Sequence, residues 1–303
     1  MARAKDETEV AGVRLTSPDR VLYPGQGITK RDLAEYYAAV ADRMLPHLKG
    51  RPLTLVRCPA GRKTECFFQR RAARGTPKAL TRVPVEVEGK EEAYLAVESL
   101  PALLSLVQLG VLEMHVWGAR RDRLDRPDRM ILDLDPDPDI PWEGVVDAAR
   151  SVRERLAARG IASFVKTTGG KGLHVVAPLA RRYPWDAVHE FSRALAEEME
   201  RDEPERFLAT ASKEEREGKI YVDYLRNSWS ASAVALYSTR SREGAPVSFP
   251  LSWEELGPGT RPADFTVRTV PERLRARSGD PWEGFGDAAR QTLPRGTPGG
   301  RRG

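Results

Sequence analysis

Cysteine is nearly missing from this 303-residue chain, which holds only Cys58 and Cys66. Two thiols are too few for a zinc knuckle, and these two are not spaced as Cys-x-x-Cys. Both are expected to be reduced thiols of a cytoplasmic protein. The sequence has no apolar run long enough to span a membrane. The N-terminus MARAKDETEV is polar and does not read as a signal peptide. No internal repeat is visible, and a Walker phosphate loop is absent. Neither charge sign dominates: Lys and Arg number 49 against 44 for Asp and Glu. The small excess and a pI near 9.2 lean mildly toward a polyanionic partner. Apolar residues make up 40% of the chain, enough to build a core for one large or two small domains.

The most informative segment is RMILDLDPD. Met130, Ile131 and Leu132 read as a buried strand, and residues two apart on a strand leave the same face. Asp133 and Asp135 therefore point together, near the strand end that Pro136 and Pro138 impose. Two carboxylates that close repel unless a cation lies between them. Oxygen-only donors suit Mg²⁺ or Mn²⁺ better than zinc. The alternative is a solvated, idle acidic loop.

Two later segments bear on that choice. Residues 166–174 read KTTGGKGLH between two strand-like runs, 161–165 and 174–179. Glycines let a backbone approach a ligand, while Lys166, Lys171, the threonine hydroxyls and His174 supply donors suited to a triphosphate. No helix begins there, so a helix-terminus phosphate site is not expected. An ordinary hairpin turn is the alternative, though it needs neither the lysines nor the histidine. Further on, Asp223 sits inside the alternating strand pattern KIYVDYL. A mid-strand acid wants a partner or a metal. Alone it reads as salt-bridged; beside Asp133 and Asp135 it completes a two-metal site for in-line phosphoryl transfer.

The remaining pattern alternates helices and strands. Thr29 with Asp32 three residues on opens a helix to about Met44, with the stripe Leu33, Tyr36, Tyr37, Val40 and Met44. Residues 52–58 and 66–69 read as strands, and Val83, Val85 and Val87 alternate into a turn at Gly89. A helix is predicted over 101–109, a strand over 111–117, and amphipathic helices over 143–159 and 185–199. The class is α/β, a mixed sheet with packed helices. The domain reading is a flexible 1–10, one catalytic domain over 11–286, and a disordered Pro/Gly/Arg-rich tail over 287–303.

These words in this order resemble the polymerase domain of bacterial and archaeal ligase D, a branch of the archaeo-eukaryotic primase superfamily that serves non-homologous end joining. The matching segments are ILDLDPD, FVKTTGGKGLHVVAPL, VDYLRN, YSTRSREGAPVSFPLSWEEL, SPDRVLYPGQGITKRDLAEYY, CFFQRR and LEMHVWGAR, together covering roughly residues 10 to 265. The resemblance implies an archaeo-eukaryotic primase fold: an RRM-like catalytic sheet and a smaller N-terminal α/β module, pressed into one unit. It implies a metal-dependent, DNA-templated nucleotidyltransferase that fills gaps and extends DNA ends, favouring ribonucleotides. In that reaction a primer 3′-hydroxyl attacks the α-phosphate of a nucleoside triphosphate with two Mn²⁺ or Mg²⁺ ions bound. A replicative or plasmid-type primase and a non-catalytic end-bridging factor are the alternatives. The lack of a zinc motif favours the end-joining branch. DNA with gaps, overhangs or double-strand ends is the implied partner, with Ku and a DNA ligase, in a cytoplasmic, nucleoid-associated setting. Relatives often fuse this polymerase to ligase and phosphoesterase domains; a stand-alone polymerase is the expectation here.

Roles follow residue by residue from the resemblance. Asp133, Asp135 and Asp223 are the expected metal ligands and catalytic carboxylates. Thr168, Lys171 and His174 match the triphosphate turn, where many relatives carry Ser in place of Thr168. His115 matches a nucleotide-facing histidine, with a structural histidine as the alternative. Arg240, Lys219 and Arg226 are candidate nucleotide contacts whose alternative is surface charge. Arg20 and Lys30 match a pocket for a downstream 5′-phosphate. Phe67 and Phe68 are adjacent, so one is expected in the core and the other free to stack on a template base. Arg57, Arg70 and Arg71 are expected along the template backbone. The cluster at 120–123 reads as a solvated loop, and His47 and His189 as structural.

Overall fold

The computed structural model describes residues 7–63, 65–212 and 214–294. The chain divides into two compact units. The first takes the chain through Trp117, then Val234–Ser248 and Ala263–Arg277. The second takes Gly118–Ala233, Phe249–Pro262 and the residues from Ser278 on. Two later stretches are needed to complete the first unit.

The first unit begins with paired strands β1 (Glu7–Val10) and β2 (Val13–Thr16), then β3 (Val21–Tyr23) and β4 (Ile28–Thr29). Helix α1 (Lys30–Leu48) starts where the sequence says it should. Thr29 Oγ1 accepts from the Asp32 N–H at 3.2 Å, and Asp32 Oδ2 accepts from the Thr29 N–H at 2.7 Å, a reciprocal capping box. Its stripe of Leu33, Tyr36, Tyr37, Val40 and Met44 is buried, each such side chain stabilising by about 1.5–3 kcal/mol. The helix outruns the expectation by one turn, because Pro46 lies where a missing N–H breaks little and Lys49 N–H closes on Leu45 O at 2.9 Å.

A sheet follows, from β5 (Leu53–Arg57), β6 (Phe67–Gln69), β7 (Thr81–Val87), β8 (Lys90–Ala96) and, after α2 (Leu100–Gln108), β9 (Val111–Trp117). Its order is β9-β5-β8-β7, with β6 also on β5. Glu88 and Gly89 both have positive φ, which gives the two-residue turn that joins β7 to β8 its twist. Pairing of Arg57 with Phe67 brings the next two residues, Cys58 and Cys66, opposite each other. They form a disulfide with S–S 2.02 Å and Cα–Cα 4.4 Å, which corrects the expectation of two free thiols.

The second unit is built on β10 (Arg129–Pro136), α3 (Trp142–Ala157), β11 (Phe164–Thr167), β12 (Leu173–Pro178), α4 (Trp185–Asp202), β13 (Phe207–Leu208) and β14 (Ile220–Asp223). The short β15 (Ser232–Val234) lies where the chain passes from the second unit to the first, and β16 (Pro250–Leu251) returns to the second. Helix α5 (Thr269–Ala276) packs on α1, and α6 (Phe285–Ala288) on β12. The second sheet runs β13-β14-β10-β12-β11-β16, all antiparallel except the parallel β13–β14 pair. Helices α3 and α4 pack against it, with Val145, Val146, Ala149, Val152, Val188 and Leu195 buried. This is the expected mixed α/β class.

Residues 7–10 and 287–294 are held by specific contacts. Residues 7–10 pair as β1 through a turn at Ala11 and Gly12, both at positive φ. Residues 287–294 are held by Gln291, whose Nε2 donates to Pro178 O at 2.6 Å and to Ala162 O at 2.9 Å while its Oε1 accepts from Ala162 N–H at 2.8 Å. One amide thus meets backbone groups next to β11 and β12, which a count of Pro, Gly and Arg does not register. Residues 1–6 and 295–303 lie outside the described residues. Among the described residues, no helix is long and apolar enough to cross a membrane.

Candidate active site and nucleic-acid interface

Asp133 and Asp135 lie within β10 rather than beyond its end, so the ladder continues through Pro136. This fixes their neighbours. Lys166 of β11 pairs with His174 of β12, His174 with Asp133, and Asp133 with Asp223 of β14. Directly paired residues share a face. Lys166, His174, Asp133 and Asp223 therefore form one polar row across four adjacent strands. Asp135 stands two residues along on the same face, paired with Tyr221.

The row is buried, and its charges are matched. Lys166, His174 and Asp223 are 3%, 3% and 7% exposed. His174 Nε2 lies 3.3 Å from Asp133 Oδ1. Arg226 bridges two carboxylates, Nε to Asp133 Oδ2 at 3.2 Å and a terminal nitrogen to Asp223 Oδ2 at 3.2 Å. Arg216 donates to Asp135 Oδ2 at 3.1 Å while lying over the Tyr221 ring at 4.3 Å. Burial pushes Asp133 up, but His174, Arg226 and Lys166 more than offset it and hold its carboxyl below the usual range. Asp135 and Asp223 go the other way, raised by burial and by the Asp133 charge despite their arginines. Burial, with Lys166 beside it, pushes His174 down to about 4, so the ring is neutral near pH 7 and its Nε2–H donates to Asp133. Its Nδ1 is buried without a hydrogen-bond partner.

Three carboxylates on one face, Asp133 and Asp223 largely buried and Asp135 exposed, are a hard, oxygen-only donor set, and two of them carry raised pKa values that a cation would relieve. That chemistry fits Mg²⁺ or Mn²⁺. In the arrangement seen, the arginines hold the carboxylates instead. Among the described residues no three His, Cys, Asp or Glu side chains close on a single ion position.

The turn at residues 168–172 joins β11 to β12. Gly172 is required by packing: a Cβ there would lie 2.0 Å from Leu134 O. Thr168 Oγ1 donates to Gly172 O at 3.1 Å and accepts from Gly170 N–H at 3.2 Å, so its hydroxyl shapes the turn. Lys171 acts on Asp135 through its charge. Lys219 precedes β14; its carbonyl accepts from Asp137 N–H, and its side chain makes no ion pair with the three carboxylates. Arg216 was missed in the sequence. It lies in a short 3-10 turn, Glu214–Arg216, inside the charged run KEEREGK, which offers no periodic signal. His189 is structural as expected, with Nδ1 3.0 Å from Ser228 Oγ. The loop at 120–123 is tied down rather than merely solvated: Arg181 pairs with Asp122 at 2.7 Å and Arg120 with Asp128 at 3.1 Å.

In the first unit, Arg20 and Lys30 do converge. The Lys30 N–H bonds Arg20 O at 2.8 Å, and burial together with the Arg20 charge lowers the Lys30 pKa. Lys30 Nζ donates to Thr16 O at 2.7 Å, and Arg20 donates to Pro59 O at 2.8 Å. Phe67 and Phe68 correct the expectation that one is core: they are 44% and 72% exposed. Arg57 lies 5.3 Å over the Phe67 ring and donates to Gln69 Oε1 at 2.8 Å. Arg70 is exposed, and Arg71 pairs with Glu92. His115 and Arg240 meet at Glu113, a residue the sequence reading passed over. Glu113 Oε2 is 2.9 Å from His115 Nε2 and 2.8 Å from Arg240 Nε.

The chain matches a primase-polymerase domain, a class of DNA-directed nucleotidyltransferase. The chain belongs to the LigD primase-polymerase domain family, whose model matches residues 29–282. It is 42% identical over 276 residues to the multifunctional non-homologous end joining protein LigD of Pseudomonas aeruginosa, covering 91% of this chain and 33% of that protein. It is 31% identical over 275 residues to the bifunctional LigD of Bacillus subtilis, covering 90% of this chain and 44% of that one. The chain thus spans less than half the length of these relatives. Among solved structures, the polymerase domain of Mycobacterium tuberculosis ligase D in complex with DNA superposes with a TM-score of 0.84 at 34% identity, covering 89% of this chain and 96% of that one.

Proposed function

We propose that this protein is a metal-dependent, DNA-templated polymerase that fills gaps and extends ends during non-homologous end joining, with ribonucleotides preferred. The observation that carries the reading is the row Lys166–His174–Asp133–Asp223 with Asp135 beside it. Asp133, Asp135 and Asp223 would hold two Mg²⁺ or Mn²⁺ ions. Bound there, such ions supply the positive charge that stabilises attacking and leaving oxygens in phosphoryl transfer. Thr168 and Lys171 of the turn, with His174 of the row, take the triphosphate. Arg226, Arg240, His115 and Lys219 are proposed as further nucleotide contacts on the strength of the family resemblance.

On the DNA side, Arg20 and Lys30 bind a downstream 5′-phosphate, whose extra charge and free oxygens reward two converging cations. Phe67 and Phe68 offer exposed rings to template bases, and Arg57 and Arg70 offer charge to the backbone. DNA binding is supported by the solved relative, which is in complex with DNA. Ku and a DNA ligase are proposed partners, because the relatives are named as end-joining proteins. A cytoplasmic, nucleoid-associated location goes with that role.

The test is extension of a gapped duplex bearing a downstream 5′-phosphate, with Mg²⁺ or Mn²⁺, comparing ribo- and deoxynucleoside triphosphates. Template-directed filling that needs the divalent ion and runs faster with ribonucleotides supports the reading. Primer-independent synthesis on single-stranded DNA would move it to a primase, and no synthesis at all would reduce the protein to end binding.

A further inference from the structure

Glu113 is a buried acid with every carboxylate oxygen engaged. It lies on β9, two residues before His115, so both side chains leave the same face of the strand. Its Oε2 meets His115 Nε2 at 2.9 Å and Arg240 Nε at 2.8 Å. Its Oε1 accepts from the Ser241 N–H at 2.8 Å and from Ser241 Oγ at 2.7 Å. All three partner residues belong to the same compact unit. Burial alone would push this carboxyl up, but His115, Arg240 and Ser241 reverse that and keep it ionised.

An ionised carboxylate only accepts hydrogen bonds. His115 must therefore carry its proton on Nε2, and the ring is fixed in one tautomer and one plane. The Arg240 guanidinium is oriented in the same way, through Nε, while its backbone is held by Tyr23 Oη on Arg240 O at 3.0 Å. We propose that Glu113 is the positioning residue of the nucleotide site, setting the direction of His115 and Arg240 at once. The proposal rests on the nucleotide-binding roles of those two residues proposed above. Glu113 itself touches no substrate. Its effect is pre-organisation: two donors are set before the nucleotide arrives, so less is lost in ordering them.

The experiment compares Glu113→Gln, His115→Ala and Arg240→Ala in steady-state gap filling, with DNA affinity and Tm measured beside it. Glutamine keeps the shape but offers one acceptor oxygen where the carboxylate offers two. The expected result is a rise of tenfold or more in the nucleotide KM, with DNA Kd within about twofold of wild type. Added to the His115→Ala, Arg240→Ala double variant, Glu113→Gln should change KM less than twofold, because it acts through those side chains. A purely structural role would lower Tm and leave KM unmoved in the folded fraction, which overturns the proposal. If His115→Ala and Arg240→Ala leave KM unchanged, the nucleotide assignment itself fails and the proposal with it. If they raise KM and Glu113→Gln does not, only the proposal fails. A measurement on the unsubstituted protein covers the case of a variant that does not fold. With only four histidines in the chain, ¹⁵N spectra can assign His115. An Nε2-protonated ring is expected, and an Nδ1-protonated one overturns the proposal.

Discussion

The acidic row of β10–β12–β14 and the β5–β6 hairpin present their chemistry in opposite ways. In the row, Asp133 and Asp223 are largely buried, while Asp135 beside them is exposed; each is met by an arginine. In the hairpin, Phe67 and Phe68 are 44% and 72% exposed. A buried carboxylate is costly unless its charge is offset; Lys166 and Arg226 supply that offset to Asp133, and Arg226 to Asp223. An exposed ring on a short strand costs folding little. The row is therefore coupled to stability and the hairpin is not. Substitutions in the first should move activity and stability together; substitutions in the second should move DNA binding alone.

The largest expected effect is on chemistry. Asp133→Ala or Asp135→Ala should lower nucleotide addition by at least ~10³, about 4 kcal/mol of transition-state stabilisation, while DNA-end binding persists. Gap-filling rates with the double variant test this. Robust extension would remove the row from the active site and leave the comparison without its catalytic half.

Next comes the cation pair of the first unit. Each charge-assisted contact to a terminal phosphate is worth about 1.5–3 kcal/mol when well formed. Arg20→Ala with Lys30→Ala should erase most of the preference for 5′-phosphorylated over 5′-hydroxyl gaps, and wild-type binding should weaken with salt. Fluorescence anisotropy at fixed salt reads both substrates. An intact preference in the double variant places the phosphate pocket elsewhere.

The row was legible in the sequence and the hairpin was not, for a physical reason. Asp133 and Asp135 sit in a run of Ile, Leu and Leu that leaves little doubt about a strand, and a strand fixes which residues share a face. The capping box at Thr29 and the alternation of Val83, Val85 and Val87 are legible on the same grounds. Phe67 and Phe68 obey the same alternation, but alternation states only that they face opposite ways. Whether anything packs on either face depends on distant residues, and here both rings stay exposed. Cys58 and Cys66 failed likewise, since their meeting depends on the register of Arg57 with Phe67. Arg216 and Glu113 were missed because their partners lie 81 and 127 residues away in sequence.

The hairpin gives the third prediction. Phe68→Ala should weaken binding to template DNA by about 1–3 kcal/mol, the worth of one base stacked on an aromatic ring. Tm should hold, because a ring 72% exposed contributes little burial. A fall in Tm without a loss of DNA affinity would make the ring structural and dissolve the contrast with the row.

The smallest effect should come from Arg226, and it probes the coupling directly. Its guanidinium reaches both Asp133 and Asp223, which face each other across β10 and β14. Arg226→Met keeps the bulk and removes the charge, leaving two paired carboxylates to repel. The Arg226 side chain is 40% exposed, so water screens part of that repulsion and the loss should be near 1 kcal/mol rather than the several expected of a fully buried pair. A thermal melt in chelator should show Tm lowered by a few degrees. Millimolar Mg²⁺ or Mn²⁺ should return most of it, and should raise the variant's Tm more than that of the wild type, since a cation that binds only the folded row stabilises it by mass action. A variant that melts like wild type in chelator would mean that Arg226 does not offset the row's charge. A variant that melts lower but ignores divalent ions would mean that the carboxylates do not hold them.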